Sequence, residues 1–221
     1  MAVNLNTINK YLRIECPGAI EPLLDNVVLQ VTNEFLSKSE VWRYTCPNLL
    51  DWTTTANFPT VTTGTDIPTA TRITRLDTVK YADNSVYTPV DFASRDELDH
   101  LWNDWETRSG DTPERWTSDG PGEWRIIPSV DANQTGVIQL RVILTITDDK
   151  TDLPDFLFYE NKDALIMGAL SRLMKVPGKD WTDMRLAGAY RRQFDDEIIA
   201  ARSRAQADYG QPDRTVQYGG I

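Results

Sequence analysis

A single histidine, His100, stands in a chain of 221 residues. Catalytic and structural zinc sites draw three or four ligands, mainly from His and Cys. His100, Cys16 and Cys46 fall at no such spacing, so a zinc site is set aside. A Ser-His-Asp triad could be assembled on paper, but no G-x-S-x-G elbow occurs. His100 follows Asp99 in a short capped stretch, where a surface position is expected. Asp148, Asp149 and Asp152 cluster in a way that suits a hard cation. They lack the spacing and glycine of an EF-hand loop, and a solvated turn leaving a strand accounts for them. Asp195, Asp196 and Glu197 follow Arg191 and Arg192 by one helical turn, which reads either as a solvated face with i,i+4 pairs or as a subunit contact. Gly120 and Gly122 flank a proline in a turn, and Gly219-Gly220 precede no helix, so neither cradles phosphate. Trp102, Trp105, Trp116 and Trp124 suit a sugar- or protein-binding face, but the core of a small β subdomain is the preferred reading. No acid pair is singled out for hydrolysis. The expectation is a protein that is no enzyme and holds no cofactor or metal.

These groups must be carried by an ordered set of elements. The stretch Leu153 to Tyr209 reads as two helices. Pro154 suits a first helical turn, and the helix runs from Phe156 to Lys175, where Val-Pro-Gly stops it. Thr182 or Asp183 caps the second helix and Gly210 ends it. In that second helix Ala187, Tyr190, Phe194, Ile198, Ala201 and Ala205 form one apolar stripe. The first is apolar nearly all round from Ala164 to Met174, interrupted by Ser171 and Arg172, and so must be covered from several directions. Gly168 and Ala169 would let a neighbouring backbone come close. A short helix from Asn6 to Ile14 ends at Cys16-Pro17-Gly18. A longer one, from Glu21-Pro22 to Ser39, places Ile20, Leu24, Val27, Val28, Val31 and Phe35 within about 100° of arc. This stripe is the expected partner of the apolar helix.

Between them the pattern changes to period two. Val41 to Cys46 reads as a strand and Leu49 to Ile67 as an irregular loop. Thr71–Tyr81 and Ser85–Val90 form a hairpin about Asp83-Asn84. Ser94 to Glu97 is a capping box opening a short helix with Leu98, Leu101 and Trp102 on its buried side. Arg108 to Gly122 reads as a polar loop. Glu123–Val130 and Thr135–Thr147 read as a second hairpin, with Ile138, Leu140, Val142, Leu144 and Ile146 facing inward. The fold class predicted is α+β: a bundle of about four helices (1–39 and 153–210), a β-rich subdomain inserted between the second and third helices (40–152), and an extended tail (211–221).

The formal charge is −10, which argues against a nucleic-acid-gripping surface. Residues 40–153 hold ten basic and nineteen acidic side chains and six of the seven tryptophans, while the flanking segments are nearly neutral. Two compositions in one chain suggest two subdomains. Two cysteines are too few for a disulfide scaffold, and reduced thiols are expected. No apolar leader segment precedes a small-residue cleavage site, and no apolar run approaches the roughly 20 residues that span a bilayer. A soluble protein with no membrane partner is expected.

The order of elements resembles the head-to-tail adaptor (connector) proteins of short-tailed and related phages. The resemblance rests on Cys16-Pro-Gly-Ala-Ile-Glu-Pro-Leu-Leu-Asp25, Gly122-Glu-Trp-Arg-Ile-Ile-Pro128, Leu153-Pro-Asp-Phe-Leu157 and Gly168-Ala-Leu-Ser-Arg-Leu-Met-Lys-Val-Pro-Gly-Lys-Asp-Trp181. Ala189-Tyr-Arg-Arg-Gln-Phe194 and Ile198-Ile-Ala-Ala-Arg202 fit as well. The loop from Leu49 to Ile67 is longer than that family leads one to expect. The resemblance implies a homo-oligomeric ring, usually of twelve copies, assembled in the host cytoplasm and bound below the portal in the virion neck. The ring extends the DNA channel, passes the genome without specific binding and presents a platform to the tail or nozzle. It places portal or subunit contacts on Gln211, Arg214, Tyr218, Gly219, Gly220 and Ile221. The charged face of the last helix, with Arg191, Arg192, Asp195 and Asp196, is a second candidate contact. A tail-completion or stopper ring of the same neck is the nearest alternative, and a glycan-binding β module a more distant one.

Overall fold

The computed structural model describes residues 2–4, 6–120, 122–150 and 152–209. In chain order the elements are β1 (Ala2–Asn4), α1 (Asn6–Glu15), α2 (Glu21–Ser39), β2 (Arg43–Thr45), β3 (Leu50–Trp52), β4 (Thr71–Asp83), β5 (Val86–Phe92), α3 (Arg95–Leu101), β6 (Ser109–Gly110), β7 (Arg115–Gly120), β8 (Glu123–Ile127), β9 (Ser129–Val130), β10 (Gln134–Ile146), β11 (Asp152–Pro154), α4 (Asp155–Leu173) and α5 (Met184–Tyr209). Two compact units result. One holds the chain up to Val41 and from Asp148 onward, and the other holds Trp42–Thr147. The breaks read from the sequence, 39/40 and 152/153, thus stand beside divisions at 41/42 and 147/148.

In the first unit α4 touches α1, α2 and α5. It is apolar on most sides, and Ala164, Leu165, Ala169, Leu170 and Leu173 are all buried. The two polar residues of its 164–173 stretch are both satisfied. The Ser171 hydroxyl donates to the Gly168 carbonyl at 2.7 Å, and Arg172 reaches out to α2 at Gln30 and Glu34. From α2 come Leu24, Val27, Val28, Val31, Phe35 and Leu36, and from α5 come Ala187, Phe194, Ile198, Ala201 and Ala205. Ile20 does not join the α2 stripe. It is the N-cap residue, extended at φ −74 and ψ 144 and 66% exposed, because the helix starts only at Glu21, with Pro22 in its first turn.

Capping residues set the ends. Pro154 is likewise an N-cap at φ −57 and ψ 141, one step outside the first turn expected for it, because it still pairs with Ala2 in the β1–β11 ribbon. The same helix is broken once, at buried Asn161 (φ −128, ψ 18). Asp183 caps α5, its Oδ1 accepting from the Arg185 and Leu186 amides at 2.8 and 2.9 Å. Thr182 instead braces the preceding turn, accepting from the Lys179 amide and donating to the Val176 carbonyl. Gly210, expected to end α5, lies outside the described residues.

Gly168 admits side chains rather than a backbone. A β-carbon there would lie 2.5 Å from Val31 Cγ1 of α2 and 2.9 Å from two ring carbons of Phe194 of α5. Phe194 is tilted against Phe35 at 6.2 Å between centroids. Three helices therefore converge on one missing methyl group.

The second unit is organised by β10. Ile138, Leu140, Val142, Leu144 and Ile146 are fully buried, and β10 pairs antiparallel with β2, β3 and β4. The seven-stranded mixed sheet runs β2-β10-β4-β5-β7-β8, with β3 also on β10. The β4–β5 hairpin turns on Asn84 and Ser85, both at positive φ, one residue later than expected. Two expectations fail here. Arg115–Gly120, read as loop, is strand β7, and β8 pairs back onto it instead of forming a hairpin with β10. β7 and β8 are sequence neighbours that pair across a tight turn, and Trp116 and Thr117 give β7 a buried half that its flanking glycines and prolines disguise. The loop after Leu49 also begins with a strand, β3, whose Leu50 and Trp52 are buried.

Gly168→Ala should lower the unfolding free energy by about 1–2 kcal/mol. Overpacking costs ~1–3 kcal/mol, and the gain in helix propensity returns only ~0.5–1. Urea denaturation reads the difference. An unchanged or raised midpoint would mean that α2 and α5 do not close on α4.

Candidate functional site

Only part of the surface predicted from the sequence can be placed. Gln211, Arg214, Tyr218, Gly219, Gly220 and Ile221 lie outside the described residues. Arg191, Arg192, Asp195 and Asp196 sit on α5 and divide into two pairs. Arg192 and Asp196 are exposed, and the Arg192 guanidinium makes a long 3.4 Å contact to the Gly188 carbonyl. Arg191 and Asp195 are tied into their own unit.

The knot is Glu34 on α2, which sequence reasoning passed over. Its carboxylate accepts from Arg191 at 2.6 and 3.1 Å, from Arg172 at 2.8 Å and from Lys38 at 2.6 Å. Arg191 also holds Asp195 through two bonds, at 2.7 and 3.0 Å, and lies 5.3 Å from the Phe194 ring centre. Only 15% of the Glu34 side chain is exposed. Burial by itself would push its carboxyl upward. The hydrogen bonds from Arg191, Lys38 and Arg172 outweigh burial and hold the group well below the ordinary carboxylate range. Arg191 is raised in turn, first by Glu34 and then by Asp195. The i,i+4 relation to Lys38 is visible in the sequence, whereas partners 138 and 157 residues away leave no local signal.

Beside this knot Ile198, Ile199, Lys38, Asp195 and Arg202 line a groove of about 500 Å³, with Ile199 67% exposed. An apolar floor with a rim of both charge signs has the anatomy of a protein contact.

The groups that could do chemistry are scattered. His100 is exposed, its Nδ1 2.6 Å from the Asp96 carbonyl oxygen, and Asp99 instead accepts from the Trp105 indole at 2.7 Å. Among the described residues no three His, Cys, Asp or Glu side chains gather as a metal site would require. Cys16 and Cys46 are unbridged and buried. Burial, followed by Glu15 and Asp66 respectively, pushes both thiols up to about 11, far from the reactive thiolate. Nor do the four tryptophans form one face. Trp105 packs with Ala93, Leu98 and Ile127, with Trp102 at its edge. Trp116 meets Phe92, and Trp124 meets Phe58. No described helix is long and apolar enough to cross a membrane.

The Glu34 knot should show in the pH dependence of stability. A carboxyl depressed in the folded state contributes fully above its unfolded pKa, about 4.3, and the contribution is lost as pH falls toward the lower folded value. Between pH 6 and 3 the wild type should lose more stability than Glu34→Gln. At pH 7 Glu34→Ala should cost about 1–2 kcal/mol, because Arg172 and Arg191 lose a charged acceptor but keep Gln30 and Asp195. Denaturant melts across pH measure both, and parallel curves for wild type and variant would contradict the depressed carboxyl.

The family model described as SU10 adaptor protein matches residues 16–216. A search of curated proteins finds no match. The matched span takes in most of the helical unit and all of the sheet unit. By this match, which covers most of the chain, the protein belongs to the SU10 adaptor protein family, a family of phage adaptor proteins.

Proposed function

We propose that the chain is a head-to-tail adaptor that forms a homo-oligomeric ring, of twelve copies, between portal and tail. The ring continues the DNA channel in the virion neck after assembly in the host cytoplasm. Its helical unit acts as a bundle of about four helices into which the sheet unit is inserted. The observation that carries this reading is the family match across residues 16–216. The groove at Ile198 and Ile199, with exposed Arg192 and Asp196 on the same helix, is one face of the subunit contact. A closed ring needs a second, different face to meet it. Residues 211–221 reach the portal or a neighbouring subunit.

Charge placement supports passage of DNA rather than capture. Between residues 91 and 115 the exposed acids Asp91, Asp96, Glu97, Asp99, Asp104, Glu106, Asp111 and Glu114 outnumber the arginines Arg95, Arg108 and Arg115, and each of those arginines is already paired to a carboxylate. A lining of this kind repels phosphate within a screened reach of about 8–10 Å.

Native mass spectrometry of the chain with and without purified portal tests the assembly. Rings, alone or on the portal, are expected, and a chain that stays monomeric in both conditions sinks the reading. A ring that docks on a tail component and ignores the portal would favour a stopper. Removal of residues 211–221 should abolish portal docking while leaving the melting temperature unchanged, and intact docking would refute the role of that segment. The assembled ring should not retain duplex DNA at 50 mM salt, whereas the combined Asp96→Lys, Glu97→Lys, Asp104→Lys and Glu106→Lys variant should retain it, with an affinity that falls as salt rises. Retention by the wild type would contradict the acidic lining.

A further inference from the structure

Strand β4 is thirteen residues long and pairs with β10 from Thr71 to Tyr81, but with β5 only from Val79 to Asp83. Before Val79, the side of β4 turned away from β10 has no strand neighbour among the described residues. A cleft of about 490 Å³ lies there. Thr74 and Leu76 stand on its β4 wall, and Phe92, Trp116 and Trp124 supply aromatic surface. Phe92 is 53% exposed and meets Trp116 edge-on at 4.8 Å. Asp77, also at the cleft, is held by Arg141 at 3.2 Å and Arg43 at 3.7 Å. A strand edge beside an aromatic slot recognises an extended peptide: the incoming main chain completes the ladder and alternate side chains enter the slot.

The chain holds a segment suited to that edge. Twelve residues, 210–221, follow Tyr209, and fully extended they reach about 40 Å. Thr215, Val216 and Tyr218 are strand-forming types, and in an extended chain Val216 and Tyr218 share one face. Asp213 and Arg214 cancel, so the segment brings no net charge to a cleft whose own carboxylate is engaged. A heterologous ring needs a donor and an acceptor on every subunit, and an open edge with a spare strand-former is such a pair. We propose that residues 213–218 of a second copy add to β4 as a strand, with Val216 and Tyr218 entering the Phe92–Trp116–Trp124 slot. This deepens the ring assembly proposed above and rests on it.

Hydrogen exchange on the full chain over a range of protein concentrations tests the proposal. Amides of residues 71–78 should exchange at least tenfold more slowly as chains associate. The protection should disappear when residues 211–221 are removed, and also in Val216→Pro, which withdraws a main-chain donor without touching the sheet. Protection of 71–78 that does not depend on concentration would overturn the second copy as donor. Protection that survives removal of 211–221 would overturn the segment. Rings that form with 71–78 unprotected would overturn strand addition while leaving the adaptor reading intact. Concentration-dependent protection at 71–78 in a chain that never forms a ring would uphold strand addition and count against the adaptor reading instead.

Discussion

The absent side chain of Gly168 sets the distance at which α2 and α5 approach α4. Val31 and Phe194 occupy the space a β-carbon would need. Helical phase carries that constraint along the three helices. Glu34 stands one turn beyond Val31, Arg191 one turn before Phe194, and Arg172 one turn beyond Gly168. Residues three or four apart share a helix face, so three helices that meet at one point in packing must meet again one turn away in charge. The Glu34 knot is the second meeting. Its lengths, from 2.6 to 3.1 Å, record how closely the first fixes the helix positions.

Magnitudes decide which of the two meetings holds the unit together. Burying a side chain such as Leu, Val or Phe contributes about 1.5–3 kcal/mol, and the three helices bury more than a dozen. Ion pairs must first overcome desolvation, and a partly buried pair adds little beyond what an apolar contact would. Packing therefore supplies the stability. The charges supply register: a slip of one residue in α5 would carry Arg191 away from Glu34 and leave a half-buried carboxylate with too few donors. The knot penalises wrong arrangements more than it rewards the right one.

Elements with strong periodicity were legible in the sequence. The α2 stripe from Leu24 to Phe35, the α5 stripe, the apolar character of α4, the Ser94 cap with its Glu97 amide and the inward set on β10 were all readable, because each is a local repetition. Ile20 and Pro154 were misplaced by one position, since helix ends depend on backbone angles that apolar spacing does not encode. Strand β7 was missed because the Gly and Pro around it read as loop and mask its buried Trp116 and Thr117. The pairing of β8 was misread as a consequence: with β7 taken as loop, the sequence neighbour that β8 actually pairs with was missing. At the candidate contact surface the charged residues of α5 were found, but their division was not. Arg191 turns inward and Arg192 outward because of Glu34, a residue whose importance appears only when α2 is laid against α5.

The sheet unit faces a different constraint. A thirteen-residue strand beside a seven-residue one leaves part of its edge without a strand neighbour among the described residues. Exposed strand edges invite indiscriminate pairing, and proteins blunt them with charge and proline. Arg72 and Arg75 are exposed on β4. Such blunting raises the barrier for any flat apolar edge that arrives by chance. A segment that also fills the aromatic slot gains burial that a chance partner does not, and that difference separates recognition from aggregation. The same logic governs the helical unit, where Gly168 admits one arrangement of neighbours and Glu34 disfavours the rest. In the helical unit shape and matched charge select the arrangement, and in the sheet unit the proposed strand addition would draw on shape and an open backbone edge.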